Sequence, residues 1–148
     1  MFQRILVPLD GSELSEKAIP VAAWIARASG GTIVFVSVVL PPIEFGTYTP
    51  ERTIPLKPSA FKRREVEANS YLTGVINTYT NELAGINTEI DVTAGAVSSG
   101  IYSEARLEHV DLIVICSKGE MGLKRWVFGS IAQEVVRHSL VPVLVLQE

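Results

Sequence analysis

Asp111-Leu112-Ile113-Val114-Ile115-Cys116-Ser117-Lys118-Gly119-Glu120-Met121-Gly122-Leu123-Lys124-Arg125-Trp126-Val127-Phe128-Gly129-Ser130 leads from a short apolar run, through a glycine-bearing loop, to a Gly-Ser pair. The Asp111–Ile115 segment reads as a central parallel strand covered on both faces, because its apolar residues do not alternate with polar ones. From Ser130 to His138 apolar side chains recur at helical spacing, which predicts a helix with Ser130 as N-cap. The first amides of such a helix have no acceptor within it and point back toward the end of the strand, so an anion is favoured there. Gly119 and Gly129 can take positive φ or let a ligand approach the backbone. For the loop taken alone, a simple turn with a cap is the plainer reading.

Working outward, strand and helix signals alternate along the whole chain. Arg4–Pro8 predicts a buried first strand, and Asp10-Gly11-Ser12 ends it and offers a cap to a helix over about Glu13–Ser29. Leu14, Ala18, Ile19, Ala22, Ile25 and Ala26 form the apolar face of that helix. Pro20 lacks an amide proton and predicts a kink or a locally opened turn. Gly30-Gly31 stops the helix, and Thr32–Val39 is a second strand, apolar enough to be central. Leu40–Ser59 holds five of the eight prolines and reads as a long irregular connection, either a surface insertion or a cover over a site. A long helix follows, carrying Phe61, Ala68, Leu72, Val75, Tyr79 and Leu83, with Tyr71 and Tyr79 as packing residues. Thr88–Ala94 alternates polar and apolar, as a half-exposed edge strand does. Ser98 or Ser99 is expected to cap a helix with Ile101, Ala105 and Leu107, His109 to face solvent at its end, and Val141–Leu146 to form a fifth strand.

Composition narrows the possibilities. The 148 residues suit one domain over residues 1–148, and 47% hydrophobic with 20% charged is globular usage. A net charge of -3 without a long basic run argues against nucleic acid as a partner; Lys62-Arg63-Arg64, followed by Glu65 and Glu67, reads as a solvated helix face. No apolar run reaches membrane-spanning length, and Met1–Arg4 leads straight into a strand, so a cytoplasmic protein is expected. One cysteine and two histidines offer no internal disulfide and no zinc constellation.

Strands separated by helices call for parallel pairing through right-handed crossovers, giving a three-layer α/β/α sandwich. With the alternating third strand at one edge and the terminal fifth at the other, the order is 3-2-1-4-5. Winding then reverses between strands 1 and 4, and ligands bind at the carboxyl ends of strands flanking such a switch point. Those ends are Val7-Pro8-Leu9-Asp10 and Ile115-Cys116-Ser117-Lys118. Topology thus selects the loop already singled out.

Over essentially its whole length the chain resembles the universal stress proteins of the single-domain, nucleotide-binding type. Ile5-Leu6-Val7-Pro8-Leu9-Asp10-Gly11-Ser12 is similar to the family's opening strand and turn, Asp111–Ile115 to its fourth strand and Pro142-Val143-Leu144-Val145 to its last. The family's motif Gly-x2-Gly-x9-Gly-Ser/Thr is matched by Gly119 and Gly129-Ser130, whereas Cys116 stands at its first glycine. The resemblance implies an adenine nucleotide alpha hydrolase-like fold that holds ATP or another adenine nucleotide. Pro8, Leu9 and Asp10 would lie near base and ribose, and Val38 would pack on the adenine. Ile115 and Cys116 would end the fourth strand beside the ligand. Gly119 would admit the ribose and α-phosphate, with Gly129, Ser130 and the Ile131 amide on the outer phosphates. Asp10 would accept hydrogen bonds from sugar hydroxyls or help hold Mg, unless it only caps the first helix. The thiomethyl group of Cys116 would take space from the ligand.

No P-loop pattern and no paired general acid and base are present, so a regulatory or sensor protein with an unidentified protein partner is favoured over an enzyme; slow hydrolysis or self-phosphorylation stays open. The alternatives are a nucleotide-independent dimeric scaffold, its pocket narrowed by Cys116, and a redox sensor in which helix amides favour the Cys116 thiolate. The apolar strand at 141–146 and the resemblance both point to a homodimer through that edge.

Overall fold

The computed structural model describes residues 1–40, 58–118 and 129–148. Gly119 and most of the proline-rich connection lie outside the described residues. Five strands, β1 (Arg4–Pro8), β2 (Thr32–Val39), β3 (Asn87–Ala94), β4 (Leu112–Ser117) and β5 (Val143–Gln147), pair in parallel in the order β3-β2-β1-β4-β5. Between them run α1 (Glu13–Glu16), α2 (Ala18–Ser29), α3 (Pro58–Thr78), α4 (Val97–Leu107) and α5 (Ser130–His138). No helix among the described residues is long and apolar enough to cross a membrane.

The unbroken apolar runs of the central strands are explained by burial on both faces. Ile5, Val7 and Leu9, with Ile33, Phe35, Leu112 and Val114, pack against α2 and α3. Leu6, Val34, Val36, Ile113 and Ile115 point the other way, toward Ile101 and Ala105 of α4 and Val135 of α5. Strand geometry sends successive side chains to opposite faces, so both sets must be apolar. β3 is an edge strand with no fully buried residue, as its alternation predicts.

Helix starts differ from expectation, for local reasons. The single helix expected over Glu13–Ser29 is broken at Lys17 into α1 and α2. Pro20 cannot donate to the carbonyl of Glu16, and its ring crowds that carbonyl; with the break, Pro20 falls in the first turn of α2, where no internal bond is needed. Neither Ser98 nor Ser99 caps α4: Gly95 turns the chain at φ 135 while its amide bonds the Val39 carbonyl, so the helix begins earlier, with Ala96 as N-cap. Ser130 likewise is the first residue of α5 and Gly129 is its N-cap. β4 runs on through Cys116 and Ser117, whereas Asp111 precedes it and accepts the amides of Gln3 and Arg4 at 2.8 and 3.1 Å. β5 starts at Val143 rather than Val141.

Candidate functional site

At the carboxyl end of β1 the chain is held by a tight set of hydrogen bonds. The Leu9 amide donates to the Val36 carbonyl at 2.8 Å, extending the pairing with β2 past Pro8. Asp10 Oδ1 accepts both the amide (2.9 Å) and the hydroxyl (2.5 Å) of Ser12. Ser12, not Asp10, caps α1, its Oγ accepting the Ser15 amide at 3.1 Å. Ser15 Oγ in turn donates to the Ser12 carbonyl at 2.9 Å and accepts the Asp10 amide at 3.4 Å. Burial, the largest influence on Asp10, pushes its carboxyl up; the hydrogen bonds from Ser12 and Ser15 outweigh it and hold the group below the usual carboxylate range. Asp10 is therefore an anion at neutral pH.

The end of β4 is locked to the start of α5. Ser117 is buried, and its Oγ accepts the Gly129 amide at 2.8 Å, which fixes the N-cap of α5 beside the strand tip. The Gln133 amide is the first to bond back into the helix, to the Gly129 carbonyl. The amides of Ser130, Ile131 and Ala132 have no acceptor among the described residues, as expected of a helix start. They carry the positive end of the helix dipole.

Both strand ends open on one cleft of about 320 Å³. Pro8, Leu9, Asp10, Val38, Ile115, Cys116, Gly129, Ser130 and Ile131, all expected at the site, line it together. Gly119 is the one expected site residue outside the described residues. Val36, Val97 and Ile101 join Val38 and Ile115 in an apolar wall, while Ser15, Ser117 and Lys118 add polar groups. Ser15 and Ser117 went unread in the sequence, since a serine hydroxyl gives no sign of burial until the turn around it is known. Gly100 of α4 lets that helix approach β2: a Cβ there would lie 2.8 and 2.9 Å from the two methyl groups of Val38.

Cys116 is half-buried, and its side chain packs with the α1–α2 side of the core, opposite to Ile115 and Ser117; it reaches the cleft wall only at the strand tip. Its bulk is thus accommodated mainly away from the Val38–Ile101 wall. Burial, only partly offset by Lys17 and a backbone hydrogen bond at Ser117, pushes the thiol up. The thiolate expected of a redox sensor is disfavoured, because desolvation outweighs the nearby positive groups.

The sequence profile of the Universal stress protein family matches residues 1–147. The chain is 26% identical over 155 aligned positions to universal stress protein YxiE of Bacillus subtilis, covering 99% of this chain and 100% of that protein. Its fold is similar to that of universal stress protein UspA from Lactobacillus plantarum, at TM-score 0.73 and 24% identity over 98% of this chain and 97% of that one. It is also similar in fold to the universal stress protein from Archaeoglobus fulgidus solved in complex with dAMP, at TM-score 0.66 and 21% identity over 97% of each chain. With its parallel sheet in the order 3-2-1-4-5 in the adenine nucleotide alpha hydrolase-like arrangement, and with this match from end to end, the chain belongs to the universal stress protein family.

Proposed function

We propose that this protein binds an adenine nucleotide, ATP in the first instance, in the cleft between the loops after β1 and β4, and works as a cytoplasmic stress-response sensor whose occupied state differs in stability or partner affinity. The observation that carries this reading is the set of three amides at Ser130, Ile131 and Ala132, without an acceptor among the described residues, at a cleft whose far wall is apolar. An apolar wall with a few directed polar groups suits a base, and helix amides suit phosphate. The dAMP complex of the Archaeoglobus fulgidus relative supports an adenine nucleotide on this fold.

In this reading Val38, Ile101 and Ile115 pack on the base, and Pro8, Leu9 and Asp10 form the floor beside the ribose. Cys116 lies at the strand tip beside the ligand, and Gly129, Ser130 and Ile131 take the outer phosphates; the family resemblance assigns the ribose and α-phosphate to Gly119, outside the described residues. One ionised carboxylate together with phosphate oxygens and waters is an ordinary Mg site, so Asp10 fits that ion. Bound there, Mg would neutralise part of the phosphate charge. No residue is assigned a catalytic role.

Saturating MgATP at about 100 times its Kd stabilises a protein by about 2.7 kcal/mol. For a chain of this size that is a rise of roughly 5–10 °C in Tm. Mass spectrometry of nucleotide released from the purified protein identifies the physiological ligand. Absence of any adenine nucleotide, with no thermal shift, would leave the scaffold reading in its place.

A further inference from the structure

α1 is a single turn, and the break forced by Pro20 separates it from α2. So short a helix does not hold its own orientation in water. What anchors it is Glu16. Both carboxylate oxygens are engaged by tyrosines, one from α3 and one from the turn just after it: Tyr71 Oη donates to Oε1 at 2.8 Å and Tyr79 Oη donates to Oε2 at 3.0 Å. Burial first, then the Glu16 carboxylate, push both phenols above their usual range, so they remain neutral donors at working pH. Ser12, the N-cap of α1, and Ser15 within it bond Asp10, and the Tyr71 phenol lies close to Ser15 and Gly11 as well as to Glu16. Asp10 and Ser15 line the cleft; Glu16, Tyr71 and Tyr79 do not.

We infer that Glu16, clasped by Tyr71 and Tyr79, is a positioning residue that sets the β1–α1 loop, and through it Asp10 and Ser15, against the nucleotide. The inference rests on the nucleotide reading above for its effect on binding, but its first step, ordering of the loop, stands apart from any ligand. Phenol-to-carboxylate hydrogen bonds are charge-assisted and therefore among the stronger ones. Two of them on one residue fix its direction as well as its distance. α3 and the turn just after it thus set the direction of the loop that follows β1.

The test uses the full chain with both tyrosines changed, Tyr71→Phe and Tyr79→Phe, alongside Glu16→Gln, which keeps an acceptor oxygen for one of them. Amide hydrogen exchange without ligand should quicken about tenfold at Ser12 and Ser15 in the double variant, beyond any change at β2 amides such as Val34, which report global opening. ATP affinity should weaken about tenfold in the double variant and less in Glu16→Gln. In an Asp10→Asn, Ser15→Ala background the same tyrosine changes should alter ATP affinity less than about twofold, because the groups they position are gone. A merely structural role predicts something else: a lower Tm with Ser12 and Ser15 exchanging in step with β2, and an equal affinity loss in both backgrounds. Either result overturns the inference. Should the unaltered protein bind no ATP, the nucleotide reading fails, while the exchange rates at Ser12 and Ser15 still decide whether Glu16 orders the loop.

Discussion

At the scale of single residues the cleft depends on close fits that sequence patterns express poorly. Gly100→Ala gains about 1 kcal/mol of helix propensity. Against that, its new methyl group would sit within 3 Å of both Val38 methyls, and overpacking of this kind typically costs about 1–3 kcal/mol. Val38 is β-branched and held in a strand, so it yields little. We expect a net loss of about 1 kcal/mol in a urea titration and weaker ATP binding as Val38 moves; an unchanged or raised stability would refute the tight contact. Ser117→Ala removes the acceptor of the half-buried Gly129 amide and should destabilise by about 1 kcal/mol, the usual net worth of such a hydrogen bond. Thermal melts measure this directly, and a loss below a few tenths would mean that water replaces the hydroxyl. Cys116 was legible as the departure from the glycine motif, but not as a residue whose side chain packs mainly on the opposite face. The face follows from the alternation of β4, and the unbroken apolar run at Asp111–Ile115 does not show which of its residues point to which side.

Among the elements, the contact of β3 with α4 holds a second feature hidden from sequence. Glu104, expected on no functional ground, is 4% exposed and faces Asp91 and Thr93 of β3, with Glu108 one turn along α4. Arg4 of β1 ties Glu108 at 2.6 Å and Glu89 at 2.7 Å nearby. Burial first, then the Asp91 and Glu108 carboxylates, push Glu104 up to about 7. The sign follows from linkage: below the ordinary carboxylate range both folded and unfolded states are protonated and nothing is lost. As pH rises toward 7 the unfolded chain releases its proton first and gains relative stability, so the fold weakens over that interval. Glu104→Gln should remove this decline and stabilise the protein at pH 8, read from urea midpoints between pH 5 and 8. An identical slope in the variant would assign the effect to another group. Strands were legible because central ones must be apolar throughout, and Pro20 announced the break between α1 and α2. Caps were not, because Gly95 and the Ser117–Gly129 bond decide where α4 and α5 begin.

On the scale of the whole molecule, the order 3-2-1-4-5 followed from one alternating strand, one terminal strand and the handedness of crossovers, and that order located the cleft. β5 ends the sheet, with half-buried Val143 and Val145 on one face and Leu144 and Leu146 on the other, and Val136 and the 92% exposed Leu140 are close by in sequence. Apolar strand edges favour pairing with a second copy, so we expect the unaltered protein to scatter as a homodimer and Val143→Lys as a monomer. A dimer that persists would place the interface elsewhere. The central claim is that the start of α5 holds the phosphates of an adenine nucleotide, and Ser130→Pro tests it at one residue. Proline suits the first position of a helix, and Gly129 at φ -56, ψ 153 already has the backbone that a following proline demands. The substitution removes the Ser130 amide proton and hydroxyl while leaving the fold in place. In calorimetric titration with MgATP, the unaltered protein should bind and Ser130→Pro should bind at least about tenfold more weakly, a change of about 1.4 kcal/mol, at an unchanged Tm without ligand. Equal affinity in the two proteins, or no heat of binding in the unaltered one, would contradict the account.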